Sequence, residues 1–195
     1  KNTVLAWWVE TQAPEAIDAA TRQFELADNM TDRAGALHAL LRTAAPQREA
    51  ALARFAQIFA DEPLVLDKWF AMQATMHRHP GDPPVLTRVR TLLGHPAFST
   101  RNPNRVRALV GSFCNGNLAE FHAADGSGYA FWGEQVLAID AINPQVAARL
   151  ARALDRWRKF TPERQAAMRA ALETVAAHPA LSSDVGEIVG KALAN

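Results

Sequence analysis

Apolar residues fall at three- and four-residue spacing along almost the whole chain, and Pro, Gly or a short polar cluster breaks the pattern roughly every dozen residues. That pattern predicts a succession of short amphipathic helices. Val4, Leu5, Trp8 and Val9 open the series. After Ala13-Pro14, the residues Ile17, Ala20, Phe24 and Leu26 form the stripe of a second helix. Thr31 or Asp32 is the expected cap of a third, in which Ala34, Leu37, His38 and Leu41 share a face, and Ala45-Pro46 ends it. Leu52, Phe55, Ala56 and Phe59 mark the next helix. Leu66, Trp69, Phe70 and Gln73 mark another, opened at Glu62-Pro63 and closed at His79-Pro80. Asp82-Pro83-Pro84 then opens a helix carrying Val85, Val89, Leu92 and Leu93.

The second half repeats the device with a sharper signal. Asn102-Pro103 and Asn143-Pro144 each place a capping Asn before a Pro at the first helical position, where the missing N–H of Pro is no loss. The helix from Pro103 turns Val106, Leu109, Val110 and Phe113 inward and stops at Asn115-Gly116-Asn117. Gly128 to about Ile142 reads as a strongly apolar helix. From Pro144 to residue 158, Val146, Leu150, Ala153 and Trp157 form one stripe, and Arg149, Arg152 and Arg156 form a second, displaced by about 100°. Thr161-Pro162 opens a helix through Ala176, and Ser182 or Ser183 caps the last, whose buried side is Val185, Ile188, Val189 and Leu193. Leu93 to Ser99 and Ala176 to Ser182 both end a helix with His-Pro-Ala, an apolar residue and Ser, which hints at a stacked helix-hairpin array. The expectation is an all-α protein of ten or eleven helices with no strand.

About half of the 195 residues are apolar, enough for the core of one large domain. A net charge of +1 with interspersed acids and bases argues against a nucleic-acid footprint or a membrane-surface patch. No apolar run approaches the length of a membrane span. With Cys114 the only cysteine, no intrachain disulfide is possible, and the cytoplasm is the expected compartment. Lys1 is not an initiator methionine, and the helical pattern is already running at Val4. The chain therefore reads as one domain, 1–195, cut from a longer polypeptide, with residues 1–12 the truncated first helix.

Candidate chemistry is sparse. His77 and His79 form an H-x-H that a helix would splay about 200° apart, so no shared metal is expected there. Cys114 lies beside an apolar stripe and reads as a small core residue rather than a nucleophile. Asp125-Gly126-Ser127-Gly128 lacks the Lys-Ser/Thr ending of a phosphate loop and reads as a tight turn in which Ser127 or Asp125 caps the next helix. The arginine stripe is an ordinary solvated face unless it lines a cavity. There a guanidinium would grip carboxylates in its planar two-pronged geometry.

The segments A-D-N-M-T-D at 27–32, D-K-W-F at 67–70, N-P-N-R-V-R at 102–107, F-H-A-A-D-G-S-G-Y at 121–129, N-P-Q-V-A-A-R-L at 143–150 and R-Q-A-A-M-R-A-A-L-E at 164–173 carry a resemblance. They are similar to the C-terminal helical domain of bacterial zinc metallo-aminopeptidases of the aminopeptidase N type. The resemblance implies a superhelical array of antiparallel helix pairs, like HEAT and armadillo repeats, packed over an upstream catalytic domain and enclosing a chamber for short peptides. The family's zinc motif H-E-x-x-H and its G-x-M-E-N motif are absent here. It follows that this chain holds no cofactor of its own and catalyses nothing alone, while its parent uses zinc upstream to remove N-terminal residues from peptides. Arg149 and Arg107 are the residues that the basic stripe and the family match together place toward the chamber. The competing reading is a free-standing helical-repeat module that binds a protein partner on its concave face. A domain taken from its neighbours is also expected to carry an apolar or mixed face.

Overall fold

The computed structural model describes residues 1–194, which form helices and no strand. The chain divides into two compact units, 1–85 and 86–195. In the first unit, α1 (Asn2–Trp8) runs into a 3-10 turn (Val9–Thr11) and is followed by α2 (Pro14–Leu26), α3 (Met30–Leu40), α4 (Gln47–Ile58) and α5 (Pro63–Ala74). The helices α1 and α2 both pack on α3, so the core gathers around Leu37, Leu40 and Leu41 together with Ala16, Ala20, Phe24, Phe55 and Phe70. Small alanines along α2 and α3 allow that close approach.

Several details of the first unit depart from the sequence expectation. The cap of α3 is Asn29, not Thr31 or Asp32: its backbone is extended and its side chain accepts from the Asp32 N–H at 2.9 Å. His38 and Leu26 are exposed, and Ala36, Ala39 and Leu40 take the buried places that periodicity assigned to Ala34 and His38. The helix expected to reach His79-Pro80 stops at Ala74. Residues 76–84 form a connection with its own bonds instead, including His79 N–H to Asp82 Oδ2 at 3.0 Å and a left-handed Gly81.

In the second unit, α6 (Val85–Leu93) starts at the boundary. A rod follows, made of α7 (Pro103–Val106), a π-helical turn (Arg107–Gly111) and α8 (Ser112–Gly116). After it come α9 (Leu118–Phe121), α10 (Ser127–Asp140), α11 (Pro144–Ala151), α12 (Pro162–Ala176) and α13 (Ser183–Ala194). The helix α10 is the hub, packing on α9, α11 and α12, while α13 packs on α11 and α12. It is apolar nearly all round, with Tyr129, Phe131, Trp132, Val136 and Ile139 buried, as a helix surrounded by others must be. Gly128 sets the depth of its first turn, because a Cβ there would stand 2.1 Å from the Phe121 carbonyl oxygen.

The helix expected over residues 144–158 is α-helical only to Ala151 and then tightens into 3-10 turns at Arg152–Leu154 and Trp157–Lys159. Three residues per turn put Leu154 and Trp157, rather than Ala153, on the buried side. Trp157 Nε1–H then donates to the Ala192 carbonyl at 2.9 Å, joining this segment to α13. Ser182 caps α13, its Oγ accepting from Val185 N–H while Asp140 receives the Ser182 hydroxyl and N–H.

Candidate functional site

The two Asn-Pro starts lie side by side in space. Asn102 accepts from the N–H groups of Asn104 (2.9 Å) and Arg105 (3.4 Å), and Asn143 accepts from Val146 N–H at 3.2 Å, so both helix entries are rigid. Between these entries is a cavity of about 130 Å³. Its apolar wall is Pro103, Val106, Val146 and Leu150, and its polar groups are Arg107, Asn115 and Arg149. Gly111 completes it, and the π-helical turn spans the stretch from Arg107 to Gly111 that faces it. Widened turns of this kind gather at functional sites. Its carbonyls are served by side chains, Ser112 Oγ donating to Arg107 O and Asn115 Nδ2 to Gly111 O.

Both expected arginines therefore reach one site. The Arg107 guanidinium makes one hydrogen bond among the described residues, Nη2 to Asn104 Oδ1 at 3.0 Å, and the Arg149 guanidinium makes none. No carboxylate among the described residues pairs with either. Two exposed guanidinium groups beside an apolar wall, neither paired with a carboxylate among the described residues, have the chemistry to accept an anionic or carbonyl-rich group with apolar flanks. The rest of the arginine stripe does not join them. The 3-10 break turns Arg152 and Arg156 into solvent, and Arg152 lies 3.9 Å from Asp155.

His77 and His79 sit in the connection after α5 rather than on a helix, with ring centroids 5.2 Å apart. Desolvation, with His77 and Arg48 beside it, lowers the His79 pKa. Among the described residues no group of three or more His, Cys, Asp or Glu side chains is placed to hold a metal. Cys114 is buried, and burial alone pushes its thiol up, away from nucleophilic use. Asp125 Oδ1 accepts from both the N–H (3.0 Å) and the hydroxyl (2.7 Å) of Ser127, so the glycine loop is a tight turn as expected, but the cap residue of α10 is the left-handed Gly126, without a side-chain cap bond, rather than Ser127 or Asp125.

Sequence reasoning missed the π-helical turn and the place of Val146 and Asn115 in the cavity, since both positions read as ordinary core and helix end. It also missed a polar aromatic lock. His122 Nδ1 lies 2.9 Å from the Tyr129 hydroxyl, and the His122 ring lies 4.4 Å from that of Phe160. Arg164 Nε–H donates to His122 O at 3.1 Å. Burial lowers the His122 pKa and raises that of Tyr129, so the site favours the neutral form of each.

The fold is an all-helical array in which Arg107 and Arg149 line one cavity, with no metal-holding cluster among the described residues. Residues 1–194 match the family described as a domain of unknown function (DUF3458_C) with ARM repeats, and the chain belongs to that family. It is 48% identical over 170 residues to aminopeptidase N of Caulobacter vibrioides, covering 87% of this chain and 19% of that protein. It is 43% identical to the Haemophilus influenzae aminopeptidase N over 172 residues, 88% of this chain and 19% of the relative. A crystal structure of Legionella pneumophila aminopeptidase A in complex with aspartic acid superposes on all of this chain, and on 22% of its own, with a TM-score of 0.90 at 32% identity. The expected resemblance to the C-terminal helical domain of aminopeptidase N is thus met. The chain spans about a fifth of the length of these relatives.

Proposed function

We propose that this chain is the helical cap of a zinc aminopeptidase. In this reading it packs over the catalytic part of the same polypeptide, encloses the space through which short peptides reach it, and works in the cytoplasm. No helix among the described residues is long and apolar enough to cross a membrane. One observation carries the reading: Arg107 and Arg149 converge on a single apolar-walled groove with no internal carboxylate to neutralise them. A peptide offers what such a groove lacks, a carboxylate terminus and backbone carbonyls set between apolar side chains. Among the described residues no three His, Cys, Asp or Glu side chains are placed to hold zinc, and in this reading the zinc ligands lie in the catalytic part. Its contribution is placement, holding the peptide beyond the scissile bond and excluding bulk water.

The test is Arg149→Ala and Arg107→Ala in the full-length enzyme, assayed on tripeptides and on an aminoacyl amide too short to reach the groove. A charge-assisted contact is worth roughly 1.5–3 kcal/mol when partly desolvated, so tripeptide kcat/KM should fall by about one to two decades while amide turnover holds. An equal fall on both substrates would make the arginines structural.

A further inference from the structure

The helix α1 is apolar on two sides. Leu5 and the following Val9 are buried against the first unit, whereas Val4 is 70% exposed, Trp7 77% and Trp8 44%. Positions 4, 7 and 8 span about 100° of one helical face, and no residue of Asn2–Trp8 is charged. This is not a dangling end. Gln23 Nε2 donates to Asn2 Oδ1 at 2.8 Å, Asn2 Nδ2 donates to Thr31 O at 3.3 Å, and Lys1 pairs with Asp32 at 2.8 Å. Beyond the helix, Gln12 bridges the Arg42 carbonyl (3.2 Å) and the Ala44 N–H (3.2 Å). The polar bonds hold α1 in one orientation, and that orientation presents two tryptophans outward. A helix apolar all round belongs between two layers; here only one is present.

We propose that Val4, Trp7 and Trp8 are the seat of another part of the same polypeptide in the full-length enzyme, an inference that rests on the cap reading above. The size of the face selects this occupant over a second copy. A seven-residue helix is only about 10 Å long, far short of the ~800 Å² that each partner of a stable dimer contributes. A tethered partner needs much less area, because the linkage already supplies a high local concentration. Such a partner is at hand in the relatives, in which the matched region is 19% of the length and the family's match begins at residue 1, so that α1 is part of the shared domain.

The experiment is hydroxyl-radical footprinting of the full-length enzyme, read residue by residue by mass spectrometry. The buried Trp69, Trp132 and Trp157 serve as internal references. Trp7 and Trp8 should oxidise no faster than those three, and Trp7→Glu with Trp8→Glu should lower the melting temperature of the full-length enzyme more than that of the 195-residue chain. Trp7→Phe with Trp8→Phe should restore it. Oxidation of Trp7 and Trp8 at the rate of free tryptophan overturns the proposal. So does protection that disappears on dilution together with a dimer peak in size-exclusion chromatography, which would assign the face to a second copy. The arginine variants separate the two readings: oxidised tryptophans together with a tripeptide-selective loss in Arg149→Ala and Arg107→Ala sink this inference alone, and protected tryptophans together with an equal fall on both substrates sink the peptide-access reading alone.

Discussion

The two units solve the same helical problem with different degrees of closure. In residues 86–194 the core is a cluster of rings, with Phe113 edge-on to Phe121 and Phe131 at 6.1 and 5.5 Å, and Phe121 edge-on to Tyr129 at 5.5 Å. The Trp132 indole N–H is satisfied by Leu150 O at 3.1 Å, and Asp140 is spent on Ser182. Residues 1–85 pack leucine and alanine around α3, with separate ring pairs at Phe55–Phe59 (4.7 Å) and Trp69–Phe70 (5.1 Å), and leave more open. The buried polar atoms without a partner among the described residues are Arg33 Nε, Gln47 Oε1 and His79 Nε2, all in this unit, and so are the exposed Val4, Trp7, Trp8, Leu26 and Leu64, against Leu118 and Ile142 in the second. The second unit pairs its buried polar atoms and exposes fewer large apolar side chains, whereas the first keeps apolar surface and polar groups whose cost a neighbour or ordered water can offset.

The largest expected effect tests how rigid that closure is, by adding one carbon to each unit. At Gly128 a Cβ would meet the Phe121 oxygen at 2.1 Å and its carbonyl carbon at 2.8 Å, and backbone atoms held in α9 cannot withdraw. Gly128→Ala should cost at least about 3 kcal/mol, detected as a lowered urea midpoint for the second unit. At Gly35 the obstruction is the Asn2 side chain at 2.6 Å, which can swing aside. Gly35→Ala loses the Asn2 bonds to Gln23 and Thr31 but gains about 0.8–1 kcal/mol of helix propensity. Its midpoint should move little. Equal damage at both positions would erase the contrast.

How much of this was legible in the sequence differs along the chain for physical reasons. Pro162–Ala176 matches its expected limits because Thr-Pro-Glu and the His-Pro-Ala stop are local signals. The same holds for the inward set Leu66, Trp69, Phe70 and Gln73, all buried. The π-helical turn and the 3-10 break after Ala151 were not legible. Both keep apolar residues at three- or four-residue spacing, and the choice of hydrogen-bond register is made by tertiary packing on α10 and α13. The site was half legible. Arg107 and Arg149 could be singled out, but the grouping of Arg149 with Arg152 and Arg156 assumed a continuous helix, and nothing local showed that Val146 and Asn115 would share the cavity.

A middle-sized effect sharpens the comparison at the helix starts. Among the helices that start with Pro, Asn102 and Asn143 of the second unit cap by side chain, while Ala13 before Pro14 and Glu62 before Pro63 in the first unit, and Thr161 before Pro162 in the second, make no such bond. Asn143→Ala should destabilise by about 1 kcal/mol and loosen the groove wall at Val146. The reciprocal change, Ala13→Ser, places an acceptor on an already extended cap residue and should stabilise the first unit by about 0.5–1 kcal/mol. Thermal melts of the two variants should therefore shift in opposite directions. A stabilising Asn143→Ala would show that this cap serves the groove at the expense of the fold.

The smallest effect concerns acid. Asp82 pins the connection after α5 by pairing with Arg48 at 2.6 Å and by accepting from His79 N–H at 3.0 Å. The hydrogen bond from Arg48, helped by that from His79, pulls its pKa down from 3.8 to about 2. A carboxylate with a depressed folded-state pKa contributes stability that is fully present above the unfolded value and is lost as pH falls through the folded one. The contribution from Asp82 should thus decline between about pH 4 and pH 2. It stays modest, about 1 kcal/mol, because the pair is half-buried rather than enclosed and solvent still screens it. The measurement is the denaturation midpoint of the first unit against pH, for the parent chain and for Asp82→Asn. The variant should begin less stable at neutral pH, and the gap between the two curves should close on approaching pH 2. A gap that stays constant to pH 2 would mean that the carboxylate charge is irrelevant and that Asp82 acts only as a neutral acceptor for the His79 N–H. The first unit would then hold this loop by hydrogen bonding alone, as the second holds Ser127 through Asp125.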